Sequence, residues 1–545
     1  NRDNFWEPVA RDMREIMDSA RSTLIFANNR RLCEKLTLRI NRQAGHLVAY
    51  AHHGALAKGL RLDVERRLKA GHLKGIVATS SLEMGIDIGH LDRVVMVQTP
   101  KSIASAVQRA GRANHQVGET SHATLYPVYP GDALDAAVMA RAINEGDIES
   151  VNPMEAPLDV LAQIMVSMVC AGPWDVDEMF NVIKTAWAYR NLDRHSFDLV
   201  LQMLSGKYAG TRLEELKARV FVDEETNVVT ALSNARLALY GAGGMIPNRG
   251  YYTMRHASTR ARIGELDEEF VWEARLGDRF TLGSQKWKIE KITHSDVLVS
   301  QAEPNVTATP FWKADALNRS WHFSERILGF LEGTEEKLAR GDDIVDQFMT
   351  QHFMDHDAAD VLRVYLQQQR GATGAALPHR HHVVVEHVQT GPDESPGSQV
   401  VIHTFWGGRL NRPFAMALEA AWKRRFGGEV EVFPDNNQVA VQLPDIGEPG
   451  ELMELVTAGN VRELLGNVLE FSGVFGARFR EGAGRAMLIQ RQRMNQRMPL
   501  WMTRLKAQKL LEKVKRYTDF PVLLEAWRGV LNEEFDMPVL EELLA

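Results

Sequence analysis

The chain has 545 residues, 45% of them hydrophobic and 25% charged, with a formal net charge of −7. That length suggests about three or four domains, and the balance suits a globular protein with an ample core. No apolar run approaches the roughly 18 residues that cross a bilayer, and Cys33 and Cys170 stand far apart without ligand spacing, which argues against a disulfide framework and for a cytoplasmic, reducing setting.

Residues 21–130 alternate short apolar runs with amphipathic stretches. STLIFA precedes the helical NRRLCEKLTLRI, HLVAYA leads to LRLDVERRLKAG, and GIVATS, DRVVMVQTP and HATLYPVYP add further strands. Strand–loop–helix repetition predicts a parallel sheet with helices on both faces, an α/β lobe over residues 1–150. Ligands of such sheets bind beyond the carboxyl ends of the strands, where NNR, HHG, SSLEMG and TPKS fall. The opening NRDNFWEPVARDM reads as the interior of a longer chain.

From residue 151 to 246 the period becomes helical in PLDVLAQIMVSMVCAG, DVDEMFNVIKTAWAYRNL and SFDLVLQMLSG. Asp175 is placed to cap the second, with Glu178 three residues on. The hairpin-like VFVDEETNVVTAL completes a winged helix, a relative of the helix-turn-helix; a helical linker domain without a nucleic-acid role is the alternative. Residues 247–323 turn to short strands, GYYTMRHA through DVLVSQA, predicting a small β-barrel or curled sheet. Residues 324–545 mix helices with VVVEHVQT, QVVIHTFWGG, EVEVFP and QVAVQLP, an α+β unit in which GPDESPGSQ is a loop. The predicted class is thus multidomain α/β plus α+β.

Two polar loops carry the chemistry. In ATSSLEMGIDIG, residues 78–89, Gly85 and Gly89 allow close backbone approach, Thr79 and Ser80 can donate to phosphate oxygens, and Asp87 can accept from a ribose hydroxyl. In QRAGRANH, residues 108–115, Arg109 and Arg112 present rigid donor forks that suit phosphate. Gln108 and the two arginines are expected to extend from the start of the next helix, where the dipole also favours an anion. Each element alone is common in turns.

In this order and spacing they resemble the second RecA-like lobe of superfamily-two helicases: TLIFANNR as motif IV, then AHHGALAKGLRLDVERRLKAG, then ATSSLEMGIDIG as motif V and QRAGRANH as motif VI. HHG with SSLEMGIDIG resembles the large helicase-related (Lhr) family rather than DEAD-box proteins. The likeness continues through LGSQKWKIEKITHSDVLV, PFWKAD, FSGVFGARFREGAGRAMLI and PLWMTRLKAQKLL. It implies a 3′-to-5′ translocase on single-stranded DNA that unwinds DNA or RNA:DNA duplexes in DNA repair. It further implies that Arg112, with Arg109 as a second candidate, stabilises charge on the γ-phosphate of ATP bound with Mg2+ mainly by a preceding lobe. Gln108 would sense that phosphate, Gly85 and Asp87 would lie by the nucleotide, and Thr79 would touch the nucleic-acid backbone. Asn114 departs from the glycine usual there, and His115 stands where many relatives outside the family carry arginine.

No GxxxxGK[ST] cradle and no DExH box is present, and SGKY at 205–208 lacks the preceding glycine and the hydroxyl. These residues alone are therefore not expected to hydrolyse ATP, and an ATP-binding lobe is expected upstream. The rival reading is a non-motor nucleic-acid-binding module on a RecA-like scaffold. By resemblance Trp312, beside Lys313 in PFWKAD, stacks on a base; its alternative place is the core, where Trp287 is also assigned. From Arg478 to Arg516 twelve Lys/Arg face two acids, a local balance of +10, and Arg478, Arg480 and Arg485 are the candidates to meet phosphates. His379, His381 and His382 lack a carboxylate or cysteine at ligand spacing, so they read as surface histidines and no metal site is expected. The sequence leaves the oligomeric state open.

Overall fold

The computed structural model describes residues 5–54, 58–84, 91–113, 120–208, 211–212, 216–242, 244–245, 251–267, 271, 274–282, 285–293, 296–302, 309–310, 318–389, 398–443, 451–490, 492–493, 496–498 and 500–545. They form two compact units, each drawn from distant stretches of chain: Asn1–Ser150 with Asn318–Ala415 and Val430–Pro449, and Val151–Leu317 with Met416–Glu429 and Gly450–Ala545.

The first unit begins with a parallel sheet. Strands β1 (Thr23–Ala27), β2 (Ala49–His52), β3 (Gly75–Ala78), β4 (Arg93–Val97) and β5 (Ala123–Tyr126) lie in the order β2-β3-β1-β4-β5. The described pairings are all parallel, with Leu24 of β1 opposite both Ile76 and Val94. Central β1 is buried along its whole length, which explains why TLIFA is continuously apolar instead of alternating. Helices α1 (Trp6–Asp18), α2 (Arg30–Ala44), α3 (Lys58–Lys69), α4 (Ile103–Ala110) and α5 (Pro130–Glu145) accompany the strands. Asn29 starts α2 by accepting from the Leu32 amide, and Gly45, at a φ of 71°, ends it. Met13 and Met17 of α1, Cys33, Leu36 and Ile40 of α2, and Ile25, Val77 and Val95 of the sheet share one core.

The same unit adds helices Trp321–Arg340, Val345–His352 and His356–Thr373 and an antiparallel sheet of β17 (Val384–Gln389), β18 (Ser398–His403), β19 (Glu431–Pro434) and β20 (Gln438–Leu443), in the order β17-β18-β20-β19. These are the four strands expected within the α+β stretch; the predicted loop GPDESPGSQ falls almost entirely outside the described residues. Arg319, fully buried, joins the parts: its guanidinium reaches Asp135 of α5 at 3.2 Å, Ser324 at 2.9 Å and the carbonyls of Phe405 and Asn436 at 3.0 and 2.9 Å. Lys101 reaches the other oxygen of Asp135 at 2.7 Å. Gly407, at a φ of 88°, lies where an added Cβ would sit 2.4 Å from the Arg319 carbonyl, so both the backbone conformation and the space require glycine.

In the second unit α6 (Leu158–Ala171), β6 (Trp174–Asp175), α7 (Val176–Lys184) and α8 (Arg194–Leu204) are followed by the short hairpin β7 (Lys207–Tyr208) and β8 (Thr211–Arg212). The wing β9 (Val220–Asp223) and β10 (Val228–Ala231) and helix α9 (Ala235–Ala242) complete this part. The sheet order β6-β10-β9 is that of a winged helix, and Asp175 caps α7 as the sequence suggests, accepting from the amides of Asp177 and Glu178. Then β11 (Tyr251–His256), β12 (Arg262–Asp267), β13 (Arg279–Leu282), β14 (Gln285–Ile292), β15 (Asp296–Gln301) and β16 (Thr309–Pro310) form a mixed sheet, β12-β11-β15-β14-β13-β16. Trp287 lies in its core with Phe280, Ile289 and Val299, as the sequence suggests. The C-terminal helices stitch onto the start of α6: Glu525 accepts from the Leu158 amide at 2.9 Å, and Arg528 donates to the Glu155 carbonyl at 2.6 Å.

Candidate functional site

Parallel strands bring their carboxyl ends to one edge, and the loops after β1, β3 and β4 gather there. After β1 comes Asn28; after β3 come Thr79, the 3-10 turn Ser80–Leu82 and Glu83; after β4 the chain runs through Gln98 and Thr99 into α4. His52, at the end of β2, holds the β3 loop in place. Its carbonyl accepts from the Thr79 amide at 3.2 Å and from the Ser81 hydroxyl at 2.9 Å. Its buried ring lies 2.9 Å from Ser81 Oγ and 3.0 Å from a Glu65 oxygen, and burial lowers its pKa despite the carboxylate. His53 meets Glu34 at 2.7 Å. The HHG histidines are thus scaffold.

The structure revises where QRAGR sits. Helix α4 begins at Ile103, capped by Ser102, so Gln108 and Arg109 occupy its last turn and Arg112 lies just beyond. The expectation that these residues extend from a helix start is corrected: the helix is nucleated upstream, where Ile103 and Ala106 face the core. The N-terminal amides already serve an anion, because Ile103 and Ala104 donate to the Glu149 carboxylate at 2.7 and 2.8 Å. Cations at the opposite end of the dipole are the favourable arrangement. Any phosphate binding at this site therefore rests on side chains, not on the dipole of α4.

The two arginines separate completely. Arg109 is 2% exposed; its Nε donates to Glu83 at 3.0 Å, its Nη1 to Asn28 Oδ1 at 3.0 Å, and its guanidinium lies 5.2 Å from the centre of the Phe26 ring. Burial lowers its pKa while Glu83 works to raise it, and the group stays charged. With its donors turned to protein oxygens, Arg109 does not sit as a phosphate ligand. Arg112 is partly exposed, with Nε 3.5 Å from the Gln108 carbonyl, and Gln108 is exposed beside it. Thr79 is partly exposed and Ser80 exposed at the tip of β3. Gly85, Asp87, Asn114 and His115 lie outside the described residues.

Glu83 and Asn28, inside the quoted motifs but not singled out there, prove central. Glu83 is the one carboxylate between β3 and Asp87, a signal that could have paired it with an arginine of QRAGR. Asn28 also donates to the Gln98 and Thr99 carbonyls at 3.5 and 3.0 Å, which sets its amide orientation.

Among the basic candidates of the second unit, helix Gly473–Arg485 turns its arginines inward. Arg478 meets Glu481 at 3.2 Å, Glu533 at 3.6 Å and Glu534. Arg485 meets Asp159 of α6 at 2.6 Å, and Arg480 is 6% exposed. Placed so, Arg478 and Arg485 tie helices together and Arg480 is buried, so the three do not line a phosphate groove, a correction of the sequence expectation. Among the described residues, exposed positive charge lies instead on helix Leu500–Val514, where Thr503, Ala507, Leu510 and Val514 are buried and Lys506, Lys509 and Lys513 are exposed. Trp312 and Lys313 lie outside the described residues. His379 and His381 stand 3.8 and 3.9 Å from Glu332, and no group of metal-ligating side chains occurs among the described residues.

Three family models match the chain: helicase conserved C-terminal domain over residues 9–115, large helicase-related protein winged helix domain over 141–309, and DEAD/H associated over 377–545. The chain is 35% identical over its whole length to the Lhr helicase/probable uracil glycosylase of Mycolicibacterium smegmatis, spanning 38% of that protein. It is 34% identical over 96% of its length to the Lhr helicase/uracil glycosylase of Escherichia coli, spanning 36% of it. Over 96% of its length it is 27% identical to the ATP-dependent helicase Lhr-Core of Saccharolobus solfataricus, spanning 61%. The solved structure of Mycobacterium smegmatis helicase Lhr bound to ssDNA and AMP-PNP superposes with a TM-score of 0.79 at 33% identity, covering 99% of this chain and 65% of that one. Over the part of those proteins that it spans, the chain belongs to the large helicase-related family.

Proposed function

We propose that the chain supplies the second motor lobe, winged helix and C-terminal domains of an ATP-dependent helicase. The enzyme would move 3′ to 5′ on single-stranded DNA and separate DNA or RNA:DNA duplexes in DNA repair. The observation that carries this reading is the partly exposed Arg112 beside exposed Gln108, set by a buried neighbour at the carboxyl edge of a parallel sheet. Across that edge a second, nucleotide-holding lobe would present the γ-phosphate of ATP. Arg112 would then neutralise charge developing on the transferred group, a contribution of roughly 10³ to 10⁵ in rate among NTPases. Gln108 would hold the phosphate or the attacking water, and Thr79 would contact the nucleic-acid backbone. Mg2+ accompanies ATP in such chemistry; since no ligand set converges among the described residues, no ion ligand is assigned to this chain.

Lys506, Lys509 and Lys513 replace the three inward arginines as the proposed phosphate-meeting face of the second unit. The relative solved with ssDNA and AMP-PNP supports the choice of ligands.

The test is ATP turnover by the full-length protein with and without single-stranded DNA. Arg112→Ala is expected to lower kcat by about 10³-fold while the Kd for single-stranded DNA stays within about threefold. Undiminished turnover in that variant overturns the assignment.

A further inference from the structure

We infer that Asn28, Glu83 and Arg109 form a buried brace that couples the nucleic-acid-facing loop after β3 to the Arg112 turn, making Arg109 a positioning residue. The inference rests on the proposed motor function and adds the residues that would link its two ligands.

The connection is continuous and short. Thr79 opens the 3-10 turn, whose hydrogen bonds run from Leu82 to the Thr79 carbonyl at 3.4 Å and from Glu83 to the Ser80 carbonyl at 3.1 Å. A shift of Thr79 therefore carries Glu83 with it. Glu83 holds Arg109 at 3.0 Å, and the Arg112 amide donates to the Arg109 carbonyl at 3.1 Å. Asn28 closes the triangle: it accepts from Arg109 and grips the carbonyls of Gln98 and Thr99 on the path into α4. Gln98 sits in the left-handed region at a φ of 68°, a conformation a non-glycine residue keeps only when its surroundings hold it.

Burial is what makes this a coupling and not merely a contact. The side chains of Arg109 and Glu83 are 3% and 13% exposed. Water has little access to replace a broken bond, and separating the pair would strand a charge in a poor solvent. A packed pair of this kind moves as one body or switches between arrangements, and does not stretch gradually. Movement of the β3 loop on engaging a strand is thereby delivered to the base of Arg112, and a phosphate pulling on Arg112 is felt at Thr79.

The experiment uses the full-length protein. Glu83→Gln keeps the shape and removes the charge, and is expected to reduce stimulation of ATP turnover by single-stranded DNA about tenfold. The KM for ATP and the Kd for single-stranded DNA should stay within about threefold. Asn28→Ala, which leaves the ion pair intact, should reduce stimulation about threefold, and Arg109→Lys, which keeps the charge but loses the fork, should fall between the two. A purely structural pair would lower melting temperature and all activities together; folded Glu83→Gln with full stimulation overturns the brace. Should that variant not fold, unchanged stimulation in Asn28→Ala overturns it equally. Arg112→Ala in the same assay separates the two ideas: intact turnover there defeats the motor reading, whereas lost turnover with Glu83→Gln fully stimulated defeats the brace alone.

Discussion

Two arginines three positions apart end in opposite environments, and the difference lies in what each finds within reach. Arg109, in the last turn of α4, meets Glu83 and Asn28 against the Phe26 ring; Arg112, past the helix end, meets the carbonyl of Gln108. Buried histidines tell a related story. His352 Nδ1 donates to the Ala137 carbonyl at 3.0 Å and the ring packs edge-on to Phe330; burial lowers its pKa, as it does for His52. Because the folded values lie below the ordinary 6.5, the unfolded chain binds more protons on acidification. Stability contributed by the neutral rings is present above that value and is lost as pH falls beneath it, by at most about 1.4 kcal/mol per pH unit for each ring. Urea unfolding at a series of pH values should show this decline. His352→Phe should flatten it while costing roughly 1 kcal/mol at neutral pH for the lost hydrogen bond to Ala137; an unchanged slope would assign the acid sensitivity elsewhere.

At the scale of elements, charge is decided by which helix face is buried. Helix Gly473–Arg485 buries most of its surface, including Gly473, Phe475, Phe479 and Ala483, and Arg478 and Arg485 find carboxylates. Helix Leu500–Val514 buries one stripe and leaves lysines at 506, 509 and 513 along a single flank, spanning about 10 Å at 1.5 Å per residue. Replacing those three by Gln should lower the slope of log binding constant against log salt for single-stranded DNA by about 2. Anisotropy titrations across a salt series measure it, and an unaltered slope removes this helix from the interface. The winged helix shows the converse case. Helix α8 buries Phe197, Leu199, Val200, Leu201, Met203 and Leu204 and ties Arg194 to Asp177 and Asp198. The helix packs against α6 and helix Pro521–Arg528 and leaves Arg194, His195 and Gln202 exposed.

For the molecule as a whole, the parallel-sheet lobe is not a separate bead. Arg319 and Lys101 converge on Asp135 from the two sides of a junction between residues 1–150 and residues 318–415 with 430–449. Five hydrogen bonds satisfy the Arg319 guanidinium and amide, including 2.8 Å to Asn436 Oδ1. Arg319→Leu should destabilise this unit by about 3–5 kcal/mol, since it strips Asp135 of a buried partner and removes the donor to the Phe405 carbonyl. Calorimetry of the chain checks this; a loss below about 1 kcal/mol would mean that Lys101 alone suffices for Asp135.

The strands β1 to β5, the cap Asp175, the wing hairpin and the order of the helicase motifs were all legible in the sequence. They arise from period, cap chemistry and residues a few positions apart, so local rules suffice. The inward turn of Arg109, Arg478 and Arg485 was not legible, because their partners lie 26, 56 and 326 positions away at Glu83, Glu534 and Asp159. A sequence shows that an arginine can reach a phosphate or a carboxylate; only the packed chain decides which anion is brought beside it, because that choice depends on burial and on contacts the fold alone creates.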